Sequence, residues 1–278
     1  TFDNVYLPTI TILLCEFRVF KMVRLVVFYC LLVLLPLRTA KNIRRYRIVG
    51  GVSAESGQFP FLVSIQIFEE HICGGSIISE KIILTAAHCL KDRLAQSFSV
   101  VAGTYDLEDG GVRIPASKIK CHQDFNYDSR DFDVGLVFLS STLTYSANIQ
   151  PAELPSESED YHGSKKIVTV VGWGIISKQS GIMNVARYTR IPLWSRQICL
   201  SYQRHLTVNM ICAGSFNGQQ NTCSGDSGGP VLIGKKVIAI TSYGESCGTP
   251  NAPSIAASVP NLRSWISKNV EIMPQFLH

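Results

Sequence analysis

The chain lacks a long apolar run. Its leader has one of 13 residues, Leu25 to Leu37, whereas a helix that crosses a bilayer needs about 20. It also lacks any Asn-x-Ser/Thr sequon, so N-glycosylation is not expected. No internal repeat or low-complexity tract occurs, and no sustained helical period appears from Ile48 onward. Disorder is excluded in turn, because 46% of the residues are apolar and only 17% charged, enough to bury a full core in one large or two modest units.

The net charge of +5 suggests nucleic acid or an anionic membrane until its position is read. Eight of the 26 Lys and Arg residues precede Ile48 (Arg18, Lys21, Arg24, Arg38, Lys41, Arg44, Arg45, Arg47), against two of the 21 acids, Asp3 and Glu16. That leaves 18 basic and 19 acidic residues in 48–278, interspersed and without a basic run, so nucleic acid is not an expected partner. A basic start, a short apolar core and the small residue Ala40 read together as a secretory signal over 22–40. Residues 1–21, ahead of Met22, are expected to be an upstream extension outside the translated protein. Residues 41–47 make a short basic propeptide, and 48–278 are the working domain. The expected product is secreted and extracellular, with no membrane segment in its mature form.

Nine cysteines suit an oxidising compartment, and the odd number requires at least one without an intramolecular partner. Cys15 and Cys30 belong to the leader. Short apolar or alternating runs recur between Gly and Pro turns: Phe61–Ile67, Ile77–Leu84, Ser97–Ala102, Val134–Leu139, Ile167–Gly172 and Val237–Ser242. Many short strands of this kind predict an all-β fold. The end alone reads as a helix, with Pro260 at a first helical position and Leu262, Trp265, Ile266 and Asn269 at three-and-four spacing. Pro151, Pro155 and the polar segment Ser156–Ser164 mark a connection between two halves.

Three strings carry chemistry. In Gly225-Asp226-Ser227-Gly228-Gly229-Pro230 a serine sits among glycines, which allow a tight turn and let backbone N–H groups approach a reacting carbonyl. In Leu84-Thr85-Ala86-Ala87-His88-Cys89 two alanines permit close packing around a histidine that a cysteine can tether. In Asp131-Phe132-Asp133-Val134-Gly135-Leu136-Val137 an acid opens an apolar strand and can be buried enough to orient a histidine. Asp124, Asp128 and Asp131 compete with Asp133, and position alone does not choose among them.

With Ile48-Val49-Gly50-Gly51, Gly172-Trp173-Gly174 and Ser242-Tyr243-Gly244, these strings make the chain resemble a trypsin-like serine protease of the chymotrypsin fold, from Ile48 to about Val270. The order His, Asp, Ser matches that fold and not others that carry the same triad. The resemblance implies two packed antiparallel six-stranded β-barrels with a C-terminal α-helix. It makes His88 the base, Asp133 its orienting acid and Ser227 the nucleophile, with the N–H groups of Gly225 and Ser227 as oxyanion hole. It implies a precursor cut between Arg47 and Ile48, whose new Ile48 ammonium pairs with Asp226.

It also implies disulfides Cys73–Cys89, Cys199–Cys212 and Cys223–Cys247, which leaves Cys121 over. Asn221 occupies the pocket floor, where trypsins carry Asp, and a neutral amide cannot make the charge-assisted pair that selects Arg or Lys. Gly244 and Ser254 form the walls, and Ala256 stands behind them in place of a usual aromatic. Cleavage like that of chymotrypsin or elastase is expected, with Ser242, Tyr243 and Gly244 pairing with substrate backbone. The expected partners are peptide and protein substrates, an activating trypsin-like protease and protein protease inhibitors, and the expected state is a monomer. No cofactor is expected. The acidic loop holding Asp106, Glu108 and Asp109 reads as solvated rather than as a calcium site. The competing reading is a catalytically inactive homologue acting as a binding or regulatory module.

Overall fold

A computed structural model describes residues 51–163, 166–175, 181–218, 220–244 and 249–271. The leader, Arg47, Ile48 and Cys247 lie outside these residues. Among the described residues no helix is long and apolar enough to cross a membrane.

The first half is a closed barrel of six antiparallel strands. They are β2 (Leu62–Ile67), β3 (Glu70–Ser79), β4 (Ile82–Thr85), β5 (Phe98–Ala102), β6 (Val112–Cys121) and β7 (Gly135–Leu139), in the order β2-β3-β4-β7-β6-β5. The run Ile77–Leu84 proves to be the end of β3 and the first three residues of β4. The polar Glu80-Lys81 step folds it into a hairpin with Ile77 opposite Ile83. The second half is built from β8 (Ile167–Gly172), β9 (Arg187–Pro192), β10 (Met210–Ala213), β11 (Pro230–Ile233), β12 (Lys236–Gly244) and β13 (Ser254–Ser258). The two-residue β1 (Val52–Ser53) pairs with β9 and makes the sheet seven-stranded, in the order β1-β9-β8-β11-β12-β13-β10. The segment 140–166, which contains Pro151 and Pro155, connects the halves.

Closure leaves the first barrel no free edge. β2, β4, β5 and β7 are buried along most of their length, while β6 is largely exposed, and Val63, Ile65, Ile77, Ile83, Val100, Leu136 and Val137 fill the interior. Two short helices flank the barrels: α1 (Ala87–Leu90), directly after β4, and α2 (Arg196–Tyr202), whose Ser195 Oγ caps it by accepting from the Ile198 N–H. The terminal helix α3 (Val259–Glu271) lays Val259, Leu262 and Ile266 on the larger core cluster. Trp265 lies 5.1 Å from the ring of His122, which in turn stacks on Phe132 at 4.5 Å, so α3 packs against the loop that leads into Asp133.

Disulfides join Cys73 to Cys89, tying β3 to α1, and Cys199 to Cys212, tying α2 to β10. Cys223 is disulfide-bonded. Cys121 is a free, half-buried thiol whose pKa burial pushes up to about 11, which leaves it protonated and unreactive at neutral pH.

Removing apolar volume beneath α3 leaves a cavity. Ile266→Ala, made in a Ser227→Ala background to suppress self-digestion, should lose about 2–5 kcal/mol in urea unfolding. Leu94→Ala, at a surface position 70% exposed, should stay within about 0.5 kcal/mol.

Candidate active site

The apolar run of β7 fixes the acid. Its entry from the loop 126–134 places Asp133 wholly buried, and a buried carboxylate has to be compensated by donors. Three are present. The His88 backbone N–H donates to Oδ1 at 2.9 Å, His88 Nδ1 donates to Oδ2 at 2.7 Å, and the Ser242 hydroxyl donates to Oδ2 at 2.5 Å. Because the carboxylate only accepts, Nδ1 carries the proton and the lone pair of the neutral ring lies on Nε2. The geometry thus selects among the competing acids. Asp131 Oδ1 accepts instead from Thr207, Asn209 and the Phe132 N–H, and Asp124 lies beside His122.

Ser227 lies on the turn between Cys223 and β11, which both barrels hold. The Gly74 N–H of β3 donates to the Ser227 carbonyl at 2.8 Å, and the Gly228 N–H donates to Thr241 of β12 at 2.8 Å. Gly228 has φ +75°, and a Cβ there would strike the Thr85 hydroxyl and the Gly74 carbonyl, so only glycine fits. Among the described residues the Gly225 and Ser227 N–H groups donate to nothing in the protein. Ser227 and His88 line one cavity, without a hydrogen bond between their side chains.

Asp226 points the other way, into the second barrel. Gly172 and Gly174 form its cradle, since a Cβ at either would overlap the carboxylate. Two N–H groups, from Gly174 and Cys223, donate to it at 2.9 Å each. No cation among the described residues pairs with it. Burial pushes its pKa up to about 6, only partly offset by those two donors.

A second buried polar group approaches the same turn from the first barrel. His71 Nε2 donates to the Gly225 carbonyl at 2.9 Å. Burial lowers the pKa of this ring and keeps it neutral. Its bare Nδ1 accepts from the Ser64 hydroxyl at 2.8 Å, and Gln66 donates to Ser64 Oγ. The sequence reading missed this chain. Its trace is three polar residues, Ser64, Gln66 and His71, in otherwise apolar strands.

The cavity holds about 280 Å³. Its floor is a hydrogen-bonded string of neutral groups. Thr222 Oγ1 donates to Ser254 Oγ at 2.6 Å, Ser254 donates to Asn221 Oδ1 at 2.5 Å, and Asn221 Nδ2 donates to the Ala252 carbonyl at 2.7 Å. Ser242, Tyr243 and Gly244 form one side, and Ser254, paired with Gly244 on β13, lines the cavity beside them. No carboxylate lines the cavity among the described residues. Ala256 is buried in the core of the second sheet. Thr222, Ser224 and Arg130 also line it and were not singled out from the sequence.

His88 stands near Cys73 and Cys89, but those sulfurs are joined and offer no thiolate to a metal. Asp106 Oδ1 accepts from the Glu108 N–H at 3.0 Å, closing a turn of the acidic loop.

A fold of two β-barrels with a buried acid on a histidine beside a serine turn is that of a chymotrypsin-like serine protease. The family model for trypsin matches residues 48–266, and the chain belongs to the trypsin family. It is 38% identical over 231 residues to hypodermin-B of Hypoderma lineatum, which covers 81% of this chain and 88% of that one. To trypsin beta of Drosophila erecta it is 36% identical, over 80% of this chain and 88% of that one. To the clotting factor G beta subunit of Tachypleus tridentatus it is 32% identical, over 80% and 79%. The chain is a serine endopeptidase.

The raised pKa of Asp226 has a signed consequence. The folded state holds this proton more tightly than the unfolded one, so the stability that the protonated form contributes is lost as pH rises from about 4 to about 6. In the uncleaved protein, Asp226→Asn should remove this loss, about 2–3 kcal/mol across that window. Urea unfolding of both forms at pH 4 and pH 7 measures it, and equal pH dependence would contradict the assignment.

Proposed function

We propose that the protein is a secreted endopeptidase, made as a precursor and activated by cleavage between Arg47 and Ile48. It hydrolyses peptide bonds through an acyl-enzyme formed on Ser227. The observation that carries this reading is the His88–Asp133 bond, which leaves the Nε2 lone pair in the cavity that Ser227 lines.

In this reading Ser227 Oγ attacks the scissile carbonyl as His88 Nε2 takes its proton. Asp133 stabilises the imidazolium. The Gly225 and Ser227 N–H groups, which have no acceptor among the described residues, receive the oxyanion. His88 returns the proton to the departing amine, then activates a water that attacks the acyl-enzyme and releases Ser227.

Activation follows from Asp226. A buried carboxylate with two donors and no cation among the described residues costs several kcal/mol when charged. A new α-ammonium on Ile48 can compensate it and hold the adjoining turn in its working shape. Specificity follows from the floor: Asn221, Thr222 and Ser254 offer no charge to hold an Arg or Lys. The Ser254 side chain takes room at the bottom. An uncharged side chain on the acyl side of the scissile bond therefore fits best, as in chymotrypsin- or elastase-like cleavage. Ser242, Tyr243 and Gly244 continue β12 as the edge on which substrate backbone pairs.

After activation by trypsin, a fluorophosphonate should label Ser227 and leave Ser227→Ala unlabelled, which separates an enzyme from an inactive homologue. His88→Ala should lower turnover by about 10⁶. Profiled on a peptide library, the activated protein should cleave after uncharged residues, and a dominant Arg or Lys preference would overturn the reading of Asn221.

A further inference from the structure

The first barrel contributes two side chains to the cavity, His88 and Arg130. His88 has its role. Arg130 has no acidic partner: among the described residues no ion pair involves it, and its one charge contact is the ring of Tyr127, 5.7 Å away. The adjoining Asp131 turns its Oδ1 to Thr207, Asn209 and the Phe132 N–H.

The backbone beneath Arg130 is built for its position. Arg130 has φ +57°, a conformation that disfavours a side chain and is ordinarily left to Gly or Asn. The loop is closed around it by the Arg130 N–H donating to Asn126 O at 2.9 Å. Asn126 Oδ1 accepts from the Asp128 and Ser129 N–H groups. Phe132, two residues on, shares this conformation at φ +53°, and the loop so held places the half-buried Arg130 on the cavity wall three positions before Asp133. Among the described residues Arg130 is the one Arg or Lys on the cavity lining, and no carboxylate lies on the lining with it.

We infer that Arg130 is a specificity-determining residue that binds an acidic side chain on the substrate residue immediately N-terminal to the scissile residue. The inference rests on the reading of Ser242–Gly244 as the substrate-pairing strand. A peptide extended along that strand alternates its side chains. If the scissile residue points to Asn221, in the second half of the molecule, its predecessor points to the opposite wall, which the first barrel supplies through His88 and Arg130. A glutamate or aspartate there meets a planar guanidinium that can bond it bidentately.

The test uses peptides identical except for Glu, Gln or Lys at that one position, cleaved by the activated enzyme. Fluorophosphonate labelling counts working Ser227 sites in every sample. The wild type should favour Glu over Gln by about 3- to 10-fold in kcat/KM at low salt, with Lys poorest and the preference shrinking as salt rises. Arg130→Gln should bring the Glu-to-Gln ratio to about one, Arg130→Lys should keep part of it, and Arg130→Glu should favour the Lys peptide. A wild type without the preference, or an Arg130→Gln enzyme that retains it, would overturn the inference while labelled Ser227 leaves the protease reading standing. Failure to cleave any peptide, with Ser227 unlabelled, would overturn both.

Discussion

The carboxylate of Asp226 sets the terms for everything around it. It is buried beside Ser227, held by two N–H groups and no described cation, in a cradle that exists because residues 172 and 174 have no side chains. Such a group is stable only if it takes a proton or gains a positive neighbour. Its own chain segment also contains the Gly225 and Ser227 N–H groups. In the activation proposed above, what settles the charge of Asp226 also settles the direction of these donors. From the other barrel, His71 holds the Gly225 carbonyl, and Ser64 and Gln66 hold His71. The serine turn is thereby fixed from both barrels, which is what an electrostatic site needs if its dipoles are to be aimed before the substrate arrives.

Asp133 is an equally buried carboxylate with the opposite solution. Three donors, one of them the imidazole it orients, compensate it from within. Ser242 provides one of these donors and is also the first residue of the edge on which substrate backbone can pair, so the acid of the first barrel and the binding strand of the second are linked through one hydroxyl. One carboxylate is complete within the described fold and the other lacks a cation. The activation by cleavage proposed above acts on that difference.

Much of this was legible beforehand. The glycine-flanked serine, the His-Cys string and the apolar strand after Asp133 are local patterns, and they point to the residues that the fold brings into one cavity. The strands β2, β5, β7, β8 and β12 announce themselves because they are apolar along most of their length. β6 and β9 do not, since Arg113, Lys118 and Lys120, and Arg187 and Arg190, interrupt them with charge, and their pairing is decided by neighbours that the sequence does not name. Position alone left Asp131 open beside Asp133, and only the resemblance chose between them; in the fold Thr207 and Asn209, more than 70 residues away, occupy Asp131. The pocket floor was half legible. Asn221 declares a neutral site, but the order of its hydrogen bonds through Ser254 and Thr222 exists only in three dimensions.

The central claim is that a free ammonium on Ile48 completes the site by compensating Asp226. It is tested most directly by making the domain begin at Ile48, once with a free α-amine and once with that amine acetylated, and comparing peptide hydrolysis. The account predicts that acetylation lowers kcat/KM by at least about 10³, the effect of more than 4 kcal/mol of lost compensation. Equal activity of the two forms would contradict it.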